Sequence, residues 1–175
     1  MGELDQLATI ISLSMGVAWA SGINLYAALL TLGVLANTGN IVLPEQLEIV
    51  ANPLVMTTAG VMYVVEFFAD KIPGVDTVWD ALQSFVRIPG GAILAAAAIG
   101  DVTPAAQMSA AILGGGLTAA THATKAGSRV MINTSPEPVS NWGASLGEDV
   151  VVVGGVWAAL NLPYIFLGLL LLFIV

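Results

Sequence analysis

Glu66 and Asp70 stand four residues apart at the end of a strongly apolar run, so on a helix their carboxylates share one face. Glu148 and Asp149 stand early in a later apolar run, where one of the two must point inward. An ionised group inside a bilayer costs at least ~2.5 kcal/mol on insertion scales, so such groups normally face a bundle interior or water and mark a pathway. Carboxylates converging from two runs would make an oxygen-rich cation site. By ligand type it suits Na⁺, a proton, Mg²⁺, Ca²⁺ or Mn²⁺. Ser21 and Asn24, with Gly22 in the middle of the first apolar run, would complete or gate the site together with Lys125 and Asn141. A helix unwound there is tolerated only beside protein or a water-filled cavity. The structural alternative leaves Glu66 and Asp70 at an interface, paired with Lys71.

A second constellation is basic. His122, Lys125 and Arg129 recur at three and four residues and form one face of a helix, which could pair with Glu66, Glu148 or Asp149. With Ser135, the pair Lys125 and Arg129 could instead hold a phosphate headgroup, the chemistry of a lipid flippase or scramblase. Asp76 and Asp80 lie beyond Pro73-Gly74, where capping and solvation of an interfacial helix account for them. An intramembrane enzyme using Asp70 or Glu148 ranks third, because the sequence holds no evident nucleophile–base pair or metal-ligand spacing.

Composition sets the frame for this chemistry. Of 175 residues, 57% are hydrophobic and only 9% charged, against about a quarter charged in soluble domains. An all-α integral membrane protein is expected, a single domain over residues 1–175. Cysteine is absent, so thiolate ligands, thiol nucleophiles and disulfides are excluded. A net charge of −8 argues against nucleic acid as a partner. Membrane lipid and a second copy of the chain, as a homo-oligomer and first of all a dimer, are the expected partners. No cofactor is called for beyond a bound cation. The N-terminus lacks the basic segment of a cleavable signal and reads as the first membrane helix.

Periodicity and breaks then divide the chain into about six transmembrane or re-entrant helices. Spans are expected at 7–36, with a kink near Gly22, at 53–69, at 88–100 after an amphipathic helix over 77–86, at 105–123, at 143–160 and at 162–175. The third and sixth are too short for a ~30 Å hydrocarbon core unless tilted, extended or re-entrant. Thr103 and Pro104 suit an N-cap and first helical position. Two half-repeats, 7–100 and 105–175, show a parallel order of polar residues, which suggests a 3+3 inverted repeat. All four basic residues fall near two connections on one side, which six spans would place in the cytoplasm with both termini. The expected location is the cell membrane, and the expected function a small permease or channel-like transporter for a cation or cation-coupled solute.

The stretches ASGINLY, EFFADKIPGVDTVWD and THATKAGSRVMINTSPEPVSNWGASLGEDV resemble a bacterial family of small polytopic membrane proteins catalogued as a domain of unknown function. The resemblance covers Ala20 to Val150 and brings no activity with it. It implies that Asn24, Glu66, Asp70, Lys125, Asn133, Ser135, Glu137, Asn141, Glu148 and Asp149 form one set. Glu66, Asp70 and Lys71 are also similar to the acidic motif of cation exchangers with paired inverted halves, though the spacing departs by one residue and the second half lacks a copy.

Overall fold

The computed structural model describes residues 2–72, 74–134 and 138–175. Pro73, where a break was expected, and Ser135, a candidate headgroup contact, lie outside the described residues, as does Glu137. Within them the chain is all helical. The elements are α1 (Glu3–Asn37), a 3₁₀ helix (Glu45–Ala51), α2 (Pro53–Ala69), α3 (Val75–Ala98), α4 (Pro104–Asn133), α5 (Pro138–Asn161) and α6 (Pro163–Ile174).

Local chemistry sets the helix ends. α2, α4 and α6 each open on proline, whose missing N–H is unneeded in a first turn. Asn52 and Thr103 act as N-caps, their side-chain oxygens accepting from Leu54 N at 2.9 Å and Ala106 N at 3.3 Å. Gly100, with φ 76°, stops α3 in a left-handed conformation that a Cβ would disfavour.

Two expected boundaries change. The amphipathic segment 77–86 and the span 88–100 are one helix, α3, with Pro89 inside it. A proline crowds the carbonyl four residues back, here that of Phe85. Both residues stand exposed on the outer face, away from the packed interfaces of the helix. At 24 residues α3 is about 36 Å long, so no short third span remains. α4 likewise continues past Ala123, because Thr118, Thr121, His122, Lys125 and Arg129 share a face and are all buried.

α1 is broken at Asn24, whose φ of −150° and ψ of 99° are not helical, two residues past the expected kink. On the first limb, Asp5, Ser12 and Asn24 bond Tyr164, Ala159 and Asp149 in turn, so this limb is antiparallel to α5. Its Ala18 and Ile23 carbonyls accept from Thr118 and Lys125, so it runs in the same direction as α4. On the second limb, Asn37 bonds Ala51 O and Met56 Sδ, while Asn24 and Tyr63 share Asp149, so this limb is antiparallel to α2. α2 itself advances with α4, Glu66 meeting Lys125 and Asp70 O meeting Arg129. The second limb therefore returns toward the end from which the first limb came. The apex, Asn24, points into the bundle, and both limbs begin and finish at the end that carries the α3–α4 and α5–α6 turns.

The first limb of α1 is the centre of the packing. Val17, Ala18 and Ala20 are buried between α3, α4 and α5. At Gly22 the approach to α4 is so close that a Cβ would meet Thr118 O at 2.6 Å and Thr121 Cβ at 2.7 Å. Apolar clusters join Val17, Ile23 and Leu94 with Val152 and Val156, and Ala18 and Ala95 with Phe166 and Leu170. Outside, Leu54, Phe85, Ile93, Ile112, Val150 and Leu172 are exposed, while every lysine and arginine is buried. α1, α3 and α5 are long and apolar enough to cross a membrane, and the 3₁₀–α2 pair, bent by 59°, makes a fourth candidate if it is one span.

Candidate functional site

The polar residues of α2, α3, α4 and α5 meet at the apex of α1. Glu66, wholly buried, accepts at Oε1 from Arg87 Nη2 at 2.6 Å and Lys125 Nζ at 3.4 Å. Arg87 Nη1 also pairs with Asp80 Oδ1 at 3.0 Å. Lys125 lies within 3.5 Å of Asp70, Asp80 and Glu148 as well as Glu66, and donates to Ile23 O at 3.1 Å. Arg129 takes Glu148 with two donors, Nε at 2.9 Å and Nη2 at 2.7 Å, and reaches Asp70 Oδ2 at 3.4 Å. A guanidinium fork on a carboxylate is the strongest geometry of this kind. Four carboxylates and three basic groups are thus linked, a formal excess of one negative charge.

The broken helix and the ions satisfy each other. At the break, the free carbonyl of Ile23 accepts a hydrogen bond from Lys125 Nζ, which places a cation at the negative end of the first limb. Asn24 caps the second limb, its Oδ1 accepting from Ala27 N at 2.9 Å. Its amide donates to Asp149 Oδ1 at 3.2 Å, and Tyr63 donates to Asp149 Oδ2 at 2.8 Å. Asp149 therefore holds the apex rather than joining the main cluster. Asn141 enters at second hand, through Asn133 Oδ1 at 3.0 Å and through its carbonyl to Arg129. Asn133 in turn donates to both oxygens of Asp76.

Of the candidate residues, Glu66, Asp70, Glu148, Lys125 and Arg129 come together directly, and Asn24, Asp149 and Asn141 border them. Ser21 does not join: its hydroxyl bonds Val17 O of its own helix at 2.6 Å. Asp80, expected to stay solvated, is buried; Asp76, expected as a cap, is buried too and accepts from Gly74 N and Thr77 N at the start of α3. Besides Asp80, expected to be solvated, Arg87 is the residue of the cluster that sequence reasoning missed. Its signal was the spacing Asp76, Asp80, Gln83, Arg87, one polar stripe of α3 that is buried throughout.

Two further titratable side chains border the cluster. Lys71, in the turn after α2, lies over the Phe67 ring and near Trp142, donating to Phe67 O at 2.9 Å. Burial there pushes its pKa below the ordinary lysine value, against the pull of Asp149 and Asp70. His122 Nδ1 faces Arg87 Nη1 at 3.0 Å, and a guanidinium can only donate, so Nδ1 accepts and Nε2 carries the proton. That Nε2–H faces Asp80 O at 3.0 Å and Ser84 Oγ at 2.8 Å, so His122 is not placed as a base toward Ser84.

Several buried atoms keep unused capacity. Among the described residues, Glu66 Oε2, Asp70 Oδ1, Asp80 Oδ2 and Asn141 Oδ1 find no hydrogen-bond partner, and neither does Arg87 Nε. Among the described residues no group of three or more His, Asp or Glu side chains is arranged to hold a metal ion.

A family model matches residues 11–175. The chain belongs to the family described as Domain of unknown function (DUF4126). Among curated proteins and solved structures none matches it.

Proposed function

We propose that this chain is a small membrane permease that moves a cation, or a solute coupled to one, with the buried charge cluster as its site. The observation that carries the reading is the cluster itself: seven ionisable groups, one negative charge in excess, enclosed by helices whose outer faces are apolar. A buried ion pair adds little net stability over a hydrophobic replacement, so a scaffold role alone accounts poorly for seven such groups. Ionisable residues at membrane depth and a helix broken beside them are features of ion pathways. The surplus charge and the unpaired carboxylate oxygens suit a monovalent cation or a proton better than a divalent ion caged by carboxylates.

In this reading the end carrying the α2–α3 and α4–α5 turns faces the cytoplasm. The Asp5–Tyr164 bond then puts the N-terminus at the opposite face, where the alternation of six spans would have put it inside. The inverted 3+3 repeat is not needed. Its first members, α1 and α4, differ in kind, one broken at its apex and the other continuous, and the first limb of α1 runs in the same direction as α4.

Headgroup binding by Lys125 and Arg129 is less favoured, because both are buried and already paired with carboxylates. The tautomer of His122 removes the support that a Ser84–His122 pair would give to an enzyme. Uptake into proteoliposomes tests the proposal. Protein-dependent movement of Na⁺, K⁺ or H⁺ that falls at least tenfold in Glu66→Gln is the expected result; no movement of any cation, or a Glu66→Gln variant equal to wild type, would overturn it.

A further inference from the structure

Glu66 and Asp70 from α2, Asp80 and Arg87 from α3, Lys125 and Arg129 from α4 and Glu148 from α5 make one linked set. Each of the four carboxylates meets two of the three basic groups, yet the formal count stays one positive charge short. No bordering group makes up the difference. His122 is neutral, since Arg87 already donates to its Nδ1. Asp149, outside the set, is held by Asn24 and Tyr63 and offset by Lys71. Asp76 brings another carboxylate, held by Gly74 N, Thr77 N and Asn133 at the start of α3 rather than by a basic group. Burial makes the shortfall matter. Glu66, Asp70 and Asp80 are at most 3% exposed, and one oxygen of each, Oε2, Oδ1 and Oδ2, finds no hydrogen-bond partner among the described residues. A charge left uncompensated in such surroundings is neutralised by taking up a proton.

We propose that the cluster binds one exchangeable proton at neutral pH, shared among Glu66, Asp70 and Asp80 through their free oxygens. Three observations select a proton. The shortfall is a single charge, so one proton brings the cluster to neutrality. A metal ion takes several oxygens arranged around it, and among the described residues no three His, Asp or Glu side chains are so arranged. The free oxygens are closed to solvent, so a hydrated or organic cation does not reach them, whereas a proton needs one oxygen and no cavity. The O–H it forms is also the donor that these acceptors lack. The proton belongs to the set rather than to one side chain, because Arg87 and Lys125 couple the three carboxylates. Glu148 is the contact with solvent. Its side chain is 19% exposed, and with Thr124 and Ser128 it lines a pocket of about 320 Å³ that reaches Lys125, the basic group common to all four carboxylates. That this proton is the coupling ion rests on the permease reading above; its binding does not.

The test is infrared spectroscopy of the protein at neutral pH in dodecyl maltoside, a detergent without carbonyl groups. Expected is the C=O stretch of a protonated carboxyl group, with the intensity of one group per chain and a shift when H₂O is exchanged for D₂O. Glu66→Gln, Asp70→Asn and Asp80→Asn each leave three carboxylates against three basic groups, so each should lose the band, whichever oxygen carries the proton. Lys125→Met widens the excess to two and should raise the band twofold. The wild-type spectrum alone can refute the proposal, so it stays testable if a variant fails to fold. No such band in the wild type, a band unmoved by D₂O, or a band lost in only one of the three amide variants, as for an acid protonated for local reasons, overturns it. The band with no cation moved in proteoliposomes would overturn the permease reading alone. Cation movement without the band would overturn the bound proton alone.

Discussion

Arg87 and Glu66 show how much depends on single residues in this interior. Replacing Arg87 by Met leaves Glu66 with only Lys125 at 3.4 Å, and removing one partner of a buried pair costs about 3–5 kcal/mol. A loss of that size is expected in Arg87→Met, read as a lower unfolding midpoint in detergent. Glu66→Gln combined with Arg87→Met should lose less than the sum of the two single changes, by about 0.5–3 kcal/mol, since the two residues share one interaction. Strict additivity would mean that the 2.6 Å contact is energetically idle. His122 offers a spectroscopic check at the same scale. Its ¹⁵N spectrum at neutral pH should show a protonated Nε2 and a bare Nδ1, because Arg87 can only donate to the latter. The opposite tautomer would reopen Ser84 as a partner for a basic nitrogen.

At the scale of elements, the break in α1 is the feature whose cost is most plainly arranged for. Backbone groups freed in an apolar interior must find partners, and here Lys125 takes the Ile23 carbonyl while Asn24 caps the limb that follows. Asn24→Ala removes the cap and the donor to Asp149, so a loss of about 1–2 kcal/mol is expected. Asn24→Asp keeps the capping oxygen but sets a carboxylate against Asp149, and thermal unfolding should place it below Asn24→Ala. Gly22, just before the apex, packs on the α4 backbone with no room for a methyl group. Gly22→Ala should cost about 1–3 kcal/mol through overpacking. An unaffected melting point would show that α1 and α4 can separate at that contact.

For the whole molecule, the folded-back α1 changes which ends lie together. Because the chain has no cysteine, single cysteines report sidedness without background. In sealed vesicles, Gly2→Cys and Asp101→Cys should be modified by a membrane-impermeant maleimide from one side, and Thr134→Cys from the other. Six alternating spans would group Gly2 with Thr134 instead. The molecule is also inside out relative to a soluble bundle, with its cations buried and large apolar side chains such as Phe85 and Leu54 outermost. In water such a surface would associate. Against lipid it is the ordinary solution.

The composition and the 3.6-residue periodicity were enough to determine the helical class and the ends of α2, and proline and capping residues marked the starts of α2 and α4, because these depend on local backbone chemistry. The candidate set was legible where ionisable residues interrupt apolar runs: Glu66, Asp70, Lys125 and Glu148 do meet. Arg87 and Asp80 were not legible, since a polar stripe on α3 reads equally as a wetted face until another helix covers it. The course of α1 could not be read either. A polar residue in mid-helix allows a kink, an unwound turn or a reversal, and only the positions of α2, α4 and α5 choose among them. Tertiary structure decided the reversal because Asn24 and Ile23 find their partners, Asp149 and Lys125, on helices more than a hundred residues away in the chain.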